Sequence, residues 1–131
     1  MVRAVEAPPE PIRVLVVDDE ENSRTLLAEM LSETDEVIVA GTASSPAEAV
    51  EIAKVVHPDV VLLDWIMPSG GGPKAAADIV AVSPETRVLG ISAGDPTHAS
   101  YEMMMGGAQG FLSKGCSVEE LVDGIRSVAR F

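Results

Sequence analysis

Short apolar runs alternate with helix-like stretches five times along the chain. The runs are Ile12 to Val17, Val37 to Ala40, Val60 to Leu63, Val88 to Ile91 and Gly110 to Leu112. They are rich in Val, Ile and Leu and do not alternate with polar residues, the pattern of parallel strands covered by helices on both faces. Ser45-Pro46-Ala47-Glu48 reads as an N-cap, a proline at the first helical position and a capping-box Glu. Ala49, Ile52, Ala53 and Val56 then recur at helical spacing. Ser117-Val118-Glu119-Glu120 repeats the capping box, with Leu121, Ile125 and Val128 on one face after it. Leu26, Leu27, Met30 and Leu31 predict a buried stripe after the first run, and Gly72-Pro73 and Asp95-Pro96 each open a further helix.

The pattern is (βα) repeated five times. Right-handed crossovers then favour an open doubly wound α/β sheet of flavodoxin-like type, strand order 2-1-3-4-5. A chain of 131 residues suits one domain with a real core. Residues 1–11, rich in Pro, Ala and Glu, read as a flexible arm, and residues 12–131 as the folded domain.

Charge narrows the function. Nine Lys and Arg against 21 Asp and Glu give a net charge of −12, which argues against direct nucleic-acid binding and against anionic membranes. No apolar run is long enough to span a bilayer, and the first residues form no signal-peptide core, so a cytoplasmic location is expected. Cys116 stands alone, which excludes an internal disulfide and fits a reducing compartment.

In such sheets ligands bind beyond the carboxyl ends of the strands. The first run ends in Asp18-Asp19-Glu20-Glu21, the third in Asp64, the fourth in Ser92-Ala93 and the fifth in Ser113-Lys114. Three carboxylates, a hydroxyl and an amine therefore converge on one rim. Asp18, Asp19 and Asp64 would repel one another, and a hard divalent cation such as magnesium relieves that cost. A carboxylate beside such a cation can attack a phosphoryl group, with the cation and Lys114 neutralising charge and Ser92 donating to a phosphoryl oxygen.

These residues resemble the receiver domain of two-component response regulators. The resemblance covers Ile12 to Val128 and rests on four parts in order. They are Val16-Val17-Asp18-Asp19-Glu20; Leu62-Leu63-Asp64-Trp65-Ile66-Met67-Pro68 with Gly72 four residues on; Ile91-Ser92-Ala93; and Gly107-Ala108-Gln109-Gly110-Phe111-Leu112-Ser113-Lys114. It implies that Asp64 is the phosphoacceptor. Magnesium would be held by Asp19, Asp64 and the backbone carbonyl of Ile66, with Asp18 acting largely through a metal-bound water. Ser92 would be the switch hydroxyl, Lys114 the phosphate-binding cation and Phe111 the switch aromatic. A histidine kinase would supply the phosphoryl group. The face built by the fourth helix, fifth strand and fifth helix would control an output domain or target protein, and a homodimer is compatible with this. Such a chain is no enzyme beyond its own phosphorylation and dephosphorylation. Trp65, next to Asp64, is expected beside the metal and phosphate.

The family commonly has Lys-Pro where Lys114 here precedes Gly115, so a trans peptide is expected at that position. The stretch Lys114 to Leu121 is similar to receivers that precede helix-turn-helix output domains of the NarL/FixJ type. No such domain follows before Phe131, which fits a single-domain regulator or an excised receiver. Two other functions fit the residues less well. A haloacid-dehalogenase-like phosphatase would carry a second Asp two residues after its nucleophile, where Ile66 stands. A constitutive interaction module would not need the acidic pair, Asp64 and Lys114. Gly70 to Lys74 superficially suggests a phosphate loop, but Pro73 lacks an N–H and no Ser or Thr follows Lys74. His57 reads as a helix end or surface residue, and His98 as an isolated one near a helix start. Met103-Met104-Met105 reads as part core, part adaptable partner surface.

Overall fold

The computed structural model describes residues 10–67, 71–93 and 96–130, with backbone only over 96–100. Ten elements alternate: β1 (Ile12–Val17), α1 (Glu21–Leu31), β2 (Val37–Ala43), α2 (Pro46–Val56), β3 (Val60–Asp64), α3 (Gly71–Val82), β4 (Arg87–Ser92), α4 (Pro96–Met105), β5 (Gly110–Ser113) and α5 (Val118–Ala129). The strands form one parallel sheet in the order β2-β1-β3-β4-β5, as the alternation of runs and helices predicts.

Period-two alternation within the strands sends neighbouring residues to opposite faces. Leu15, Val17, Val61 and Leu63 pack with Ala49 and Ala53 of α2, Ala75, Ala76 and Ile79 of α3, and Met103 of α4. Val14, Val16, Leu62, Leu89 and Ile91 pack with Leu27 and Leu31 of α1 and Leu121, Ile125 and Val128 of α5. Both faces are apolar because both are covered, which is why the central runs show no polar alternation.

The differences from expectation have local causes. β2 runs on through Gly41 and Thr42 to Ala43, beyond the apolar run that ends at Ala40. It is an edge strand, and its pairing with β1 slips by one residue at Ala40, so it needs no continuous apolar sequence. On α1 only Leu27 and Leu31 are buried and Met30 is half-buried, whereas Leu26 is 55% exposed. Leu26 precedes Leu27 by one residue, about 100° of helical rotation, which carries it off the stripe.

Caps follow the serines. The Ser117 hydroxyl accepts the Glu120 N–H at 3.1 Å while the Glu120 carboxylate accepts the Ser117 N–H at 3.0 Å, a complete capping box. At α2 the Ser45 hydroxyl accepts the Glu48 N–H, but the Glu48 carboxylate turns one residue further back to the Ser44 N–H. Only half of the expected box forms there. His57 closes α2 in the left-handed conformation, φ 45°, in the helix-end role expected of it. α4 begins at Pro96 as expected, while Asp95 before it, the side chain of His98 and residues 1–9 of the expected arm lie outside what is described. No cis peptide occurs among the described residues, so the bond between Lys114 and Gly115 is trans.

The α1 packing gives a direct test. Leu27→Ala should cost about 3 kcal/mol and Leu26→Ala no more than about 0.5 kcal/mol, read as shifts in urea midpoint. Equal losses would place the buried face of α1 elsewhere.

Candidate phosphoryl and metal site

The carboxyl ends of four strands supply the site. β1 is followed by Asp18 and Asp19, β3 ends on Asp64, β4 ends on Ser92, and β5 is followed by Lys114. β1 and β3 are neighbours although β2 lies between them in sequence, so the loops leaving them diverge and open a crevice.

Asp18 is fully buried and both of its carboxylate oxygens are engaged. Oδ1 accepts the Glu20 N–H at 2.9 Å. Oδ2 accepts the Ser23 hydroxyl at 2.5 Å and lies 2.9 Å from Lys114 Nζ. Its backbone is held as well, the carbonyl by Arg24 Nη1 at 2.9 Å and the N–H by the Ala43 carbonyl at 3.1 Å. Asp64 is almost as deep but less well supplied. Its Oδ1 accepts the Ile66 N–H at 3.3 Å, and its Oδ2 is 3.5 Å from Lys114 Nζ. Asp19 is exposed, yet one oxygen from each of Asp18, Asp19 and Asp64 lies within 4.8 Å of the others.

Electrostatics follow from this distribution of donors. Burial works to raise the Asp18 pKa, but hydrogen bonds from Ser23, Lys114 and the Glu20 N–H outweigh it and hold the group below its ordinary value. Asp64 goes the other way. Burial, reinforced by the negative charge of Asp18, pushes it up to about 6 against the opposing pull of Lys114. Burial also works against the Lys114 ammonium, yet its hydrogen bond to Asp18 and the charges of Asp64 and Asp18 raise its pKa. The cluster is a set of hard oxygen donors with too little positive charge, which fits a hard divalent cation such as magnesium.

Ser92 is buried at the end of β4, and its carbonyl accepts the Lys114 N–H at 3.0 Å, so the switch and phosphate-binding candidates share a backbone hydrogen bond. Phe111 stands on the outer strand β5, 39% exposed, outside the acidic cluster. Trp65 corrects an expectation. Its side chain leaves the strand on the face opposite Asp64 and is buried against Gly72, Gly90 and Gly106, in the core beneath α3 and α4. Ser23 and Arg24 were not singled out from the sequence. Their signal was there: both fall in the first turns of a helix that starts three residues after Asp18.

A model of the response regulator receiver domain matches residues 14–126. Response regulator GacA of Pseudomonas viridiflava is 36% identical over 117 residues, covering 89% of this chain and 55% of that protein. The probable transcriptional regulatory protein NarL of Mycobacterium tuberculosis is 38% identical over 122 residues, 93% of this chain and 56% of that one. The chain thus spans about half the length of these relatives. Among solved structures, the signal receiver domain of the putative response regulator NarL from Mycobacterium tuberculosis matches with a TM-score of 0.84 at 38% identity, covering 93% of this chain and 98% of that one. The response regulator domain of Thermotoga maritima CheB matches at 0.81 and 30% identity, covering 92% and 98%.

The raised Asp64 pKa has a consequence for stability. A carboxyl whose pKa rises on folding favours the fold below its unfolded value, near 3.8, and that contribution is lost as pH climbs through about 6. In EDTA, Asp64→Asn should therefore match the wild type near pH 4 and exceed it by about 2 kcal/mol above pH 7. Urea unfolding at several pH values measures the difference. A gap that does not widen with pH would remove the electrostatic strain from Asp64.

Proposed function

Because the chain belongs to the family of response regulator receiver domains, we propose that it is a phosphorylation-dependent switch that accepts a phosphoryl group on Asp64. One observation carries this reading: a buried, charge-starved carboxylate faces a lysine and two further carboxylates at the crevice between β1 and β3. With a pKa near 6, Asp64 is mostly ionised at neutral pH yet poorly solvated, a state that favours attack on phosphorus. One Asp64 oxygen forms the new P–O bond as the P–N bond to a kinase histidine breaks, and the electron pair stays on the imidazole nitrogen. A small donor such as acetyl phosphate would serve in the same way.

Magnesium would be held by Asp19, Asp64 and the Ile66 carbonyl, with Asp18 acting through water, and would offset the charge of the transferred group. Lys114 turns its ammonium to the phosphoryl oxygens, and the Ser92 hydroxyl donates to one of them. Ile66 leaves no acid or base two residues from the nucleophile, which supports a lasting phospho-form over phosphatase turnover. In this reading the chain catalyses its own phosphorylation and dephosphorylation and no other reaction.

The signal would leave through the face formed by α4, β5 and α5, with Phe111 as the switch aromatic. Tyr101, Met104, Met105 and Phe111 are large apolar side chains exposed on α4 and β5, which supports a partner there. The partner would be an output domain of the NarL/FixJ type or a separate target, with DNA contacted by that domain and not by this acidic chain. A cytoplasmic setting fits the absence, among the described residues, of any helix long and apolar enough to cross a membrane.

Acetyl phosphate with magnesium should add one phosphoryl group by intact mass spectrometry, and both EDTA and Asp64→Asn should abolish it. An adduct of equal yield on Asp64→Asn would sink the assignment. Ser92→Ala should still bind magnesium but lose most of the phosphorylation-induced change in hydrogen exchange over residues 97–112. An unchanged response would take Ser92 out of the relay.

A further inference from the structure

We propose that Ser23 is a positioning residue for phosphoryl transfer, holding Asp18 in place while Lys114 changes partners. The inference rests on the switch reading above and concerns a residue that reading does not use. Lys114 Nζ is 2.9 Å from Asp18 and 3.5 Å from Asp64, so before phosphorylation the ammonium is committed mainly to Asp18. A phosphoryl group on Asp64 brings new anionic oxygens that draw the ammonium away. Asp18 then loses its direct charged partner at a buried position, where the bound magnesium would reach it only through water. A buried carboxylate stripped of a donor is costly, and that cost opposes the move of Lys114.

Ser23 reduces it. Its hydroxyl reaches the same Oδ2 that Lys114 vacates, while the Glu20 N–H stays on Oδ1. Both oxygens therefore remain hydrogen-bonded throughout the exchange. A helical serine commonly returns its hydroxyl to the carbonyl a turn earlier. Ser23 instead spans from the first turn of α1 to the end of β1, which is a specific commitment of that hydroxyl. Among the hydrogen bonds and ion pairs of the described residues, Ser23 and Lys114 are the donors to Oδ2, and Arg24 reaches only the Asp18 carbonyl. Without the hydroxyl, Lys114 becomes the sole donor to Oδ2 and its pairing with Asp18 tightens against the transfer.

The test compares Ser23→Ala, Ser23→Thr and Ser23→Val in the full chain. Thr and Val have nearly the same shape, and only Thr keeps the hydroxyl, so the pair separates hydrogen bonding from packing. The readout is the rate of acetyl phosphate labelling by intact mass, at magnesium saturating for each protein, with thermal unfolding alongside. Ala and Val should label about tenfold more slowly than wild type, the scale of one hydrogen bond to a charged group, and Thr should stay within about twofold. Wild-type rates in Ala and Val, or a loss in Thr equal to that in Val, would overturn the proposal. Failure of the wild type itself to label would instead overturn the switch reading.

Discussion

Two carboxylates with almost no access to water share one ammonium at the crevice between β1 and β3, and this shortage of positive charge shapes the whole carboxyl edge of the sheet. The two are not supplied equally. Asp18 takes the nearer approach of Lys114, a hydroxyl and a backbone N–H, whereas Asp64 has the farther approach and one long hydrogen bond. Identical side chains at equivalent strand ends are thereby pushed to opposite sides of their ordinary pKa. Burial alone would have raised both, so the local supply of donors decides which carboxylate is held as an anion and which is left short of partners.

The scaffold makes that inequality possible. Lys114 follows the edge strand β5, and its amine must reach across β4 to the two central strands. The turn after β5 holds it there: its own N–H bonds the Ser92 carbonyl, the Gly115 N–H approaches Ser113 Oγ, and the Cys116 N–H bonds the Ser113 carbonyl. Ser117 then starts α5 with a full capping box, and α5 buries Leu121, Ile125 and Val128 against the sheet. The position of one ammonium is thus fixed by a strand, a turn, a cap and a helix in succession.

Much of this was legible in the residue pattern, and the limits are physical. Central strands are covered on both faces, so Val60 to Leu63 reads as an uninterrupted apolar run, and the strand order rests on right-handed crossovers in a doubly wound sheet of five (βα) units. The acidic pair, Asp64, Ser92 and Lys114 all stood just past such runs, where the ends of parallel strands gather. The apolar run stops short of the end of β2 because an edge strand, with one side free of a neighbouring strand, tolerates Gly41 and Thr42. Leu26 departs from the expected stripe because four apolar residues close together on a helix cannot all face inward. Ser23 is signalled only by its place in the first turn of the helix that follows Asp18, and nothing in the sequence marks the single contact with Asp18 that gives it importance.

Trp65 shows how near the site and the far side of the sheet lie in covalent terms. Its N–H bonds the Ile91 carbonyl and its own carbonyl accepts the Gly72 N–H, so the backbone just after Asp64 is tied both to β4 and to the start of α3. The indole fills a slot left by the missing side chains of Gly72 and Gly106, and Met103 fills the one at Gly90. A Cβ on Gly72 or Gly106 would fall 2.4 or 2.7 Å from the ring, and one on Gly90 would meet Met103 Sδ at 2.5 Å. Interiors packed this closely do not deform smoothly. The ring bears directly on Gly106, just beyond the end of α4. The carboxylate and the indole occupy consecutive positions on opposite faces of one strand, so the charged edge and the α4 side of the core are joined by a single peptide unit.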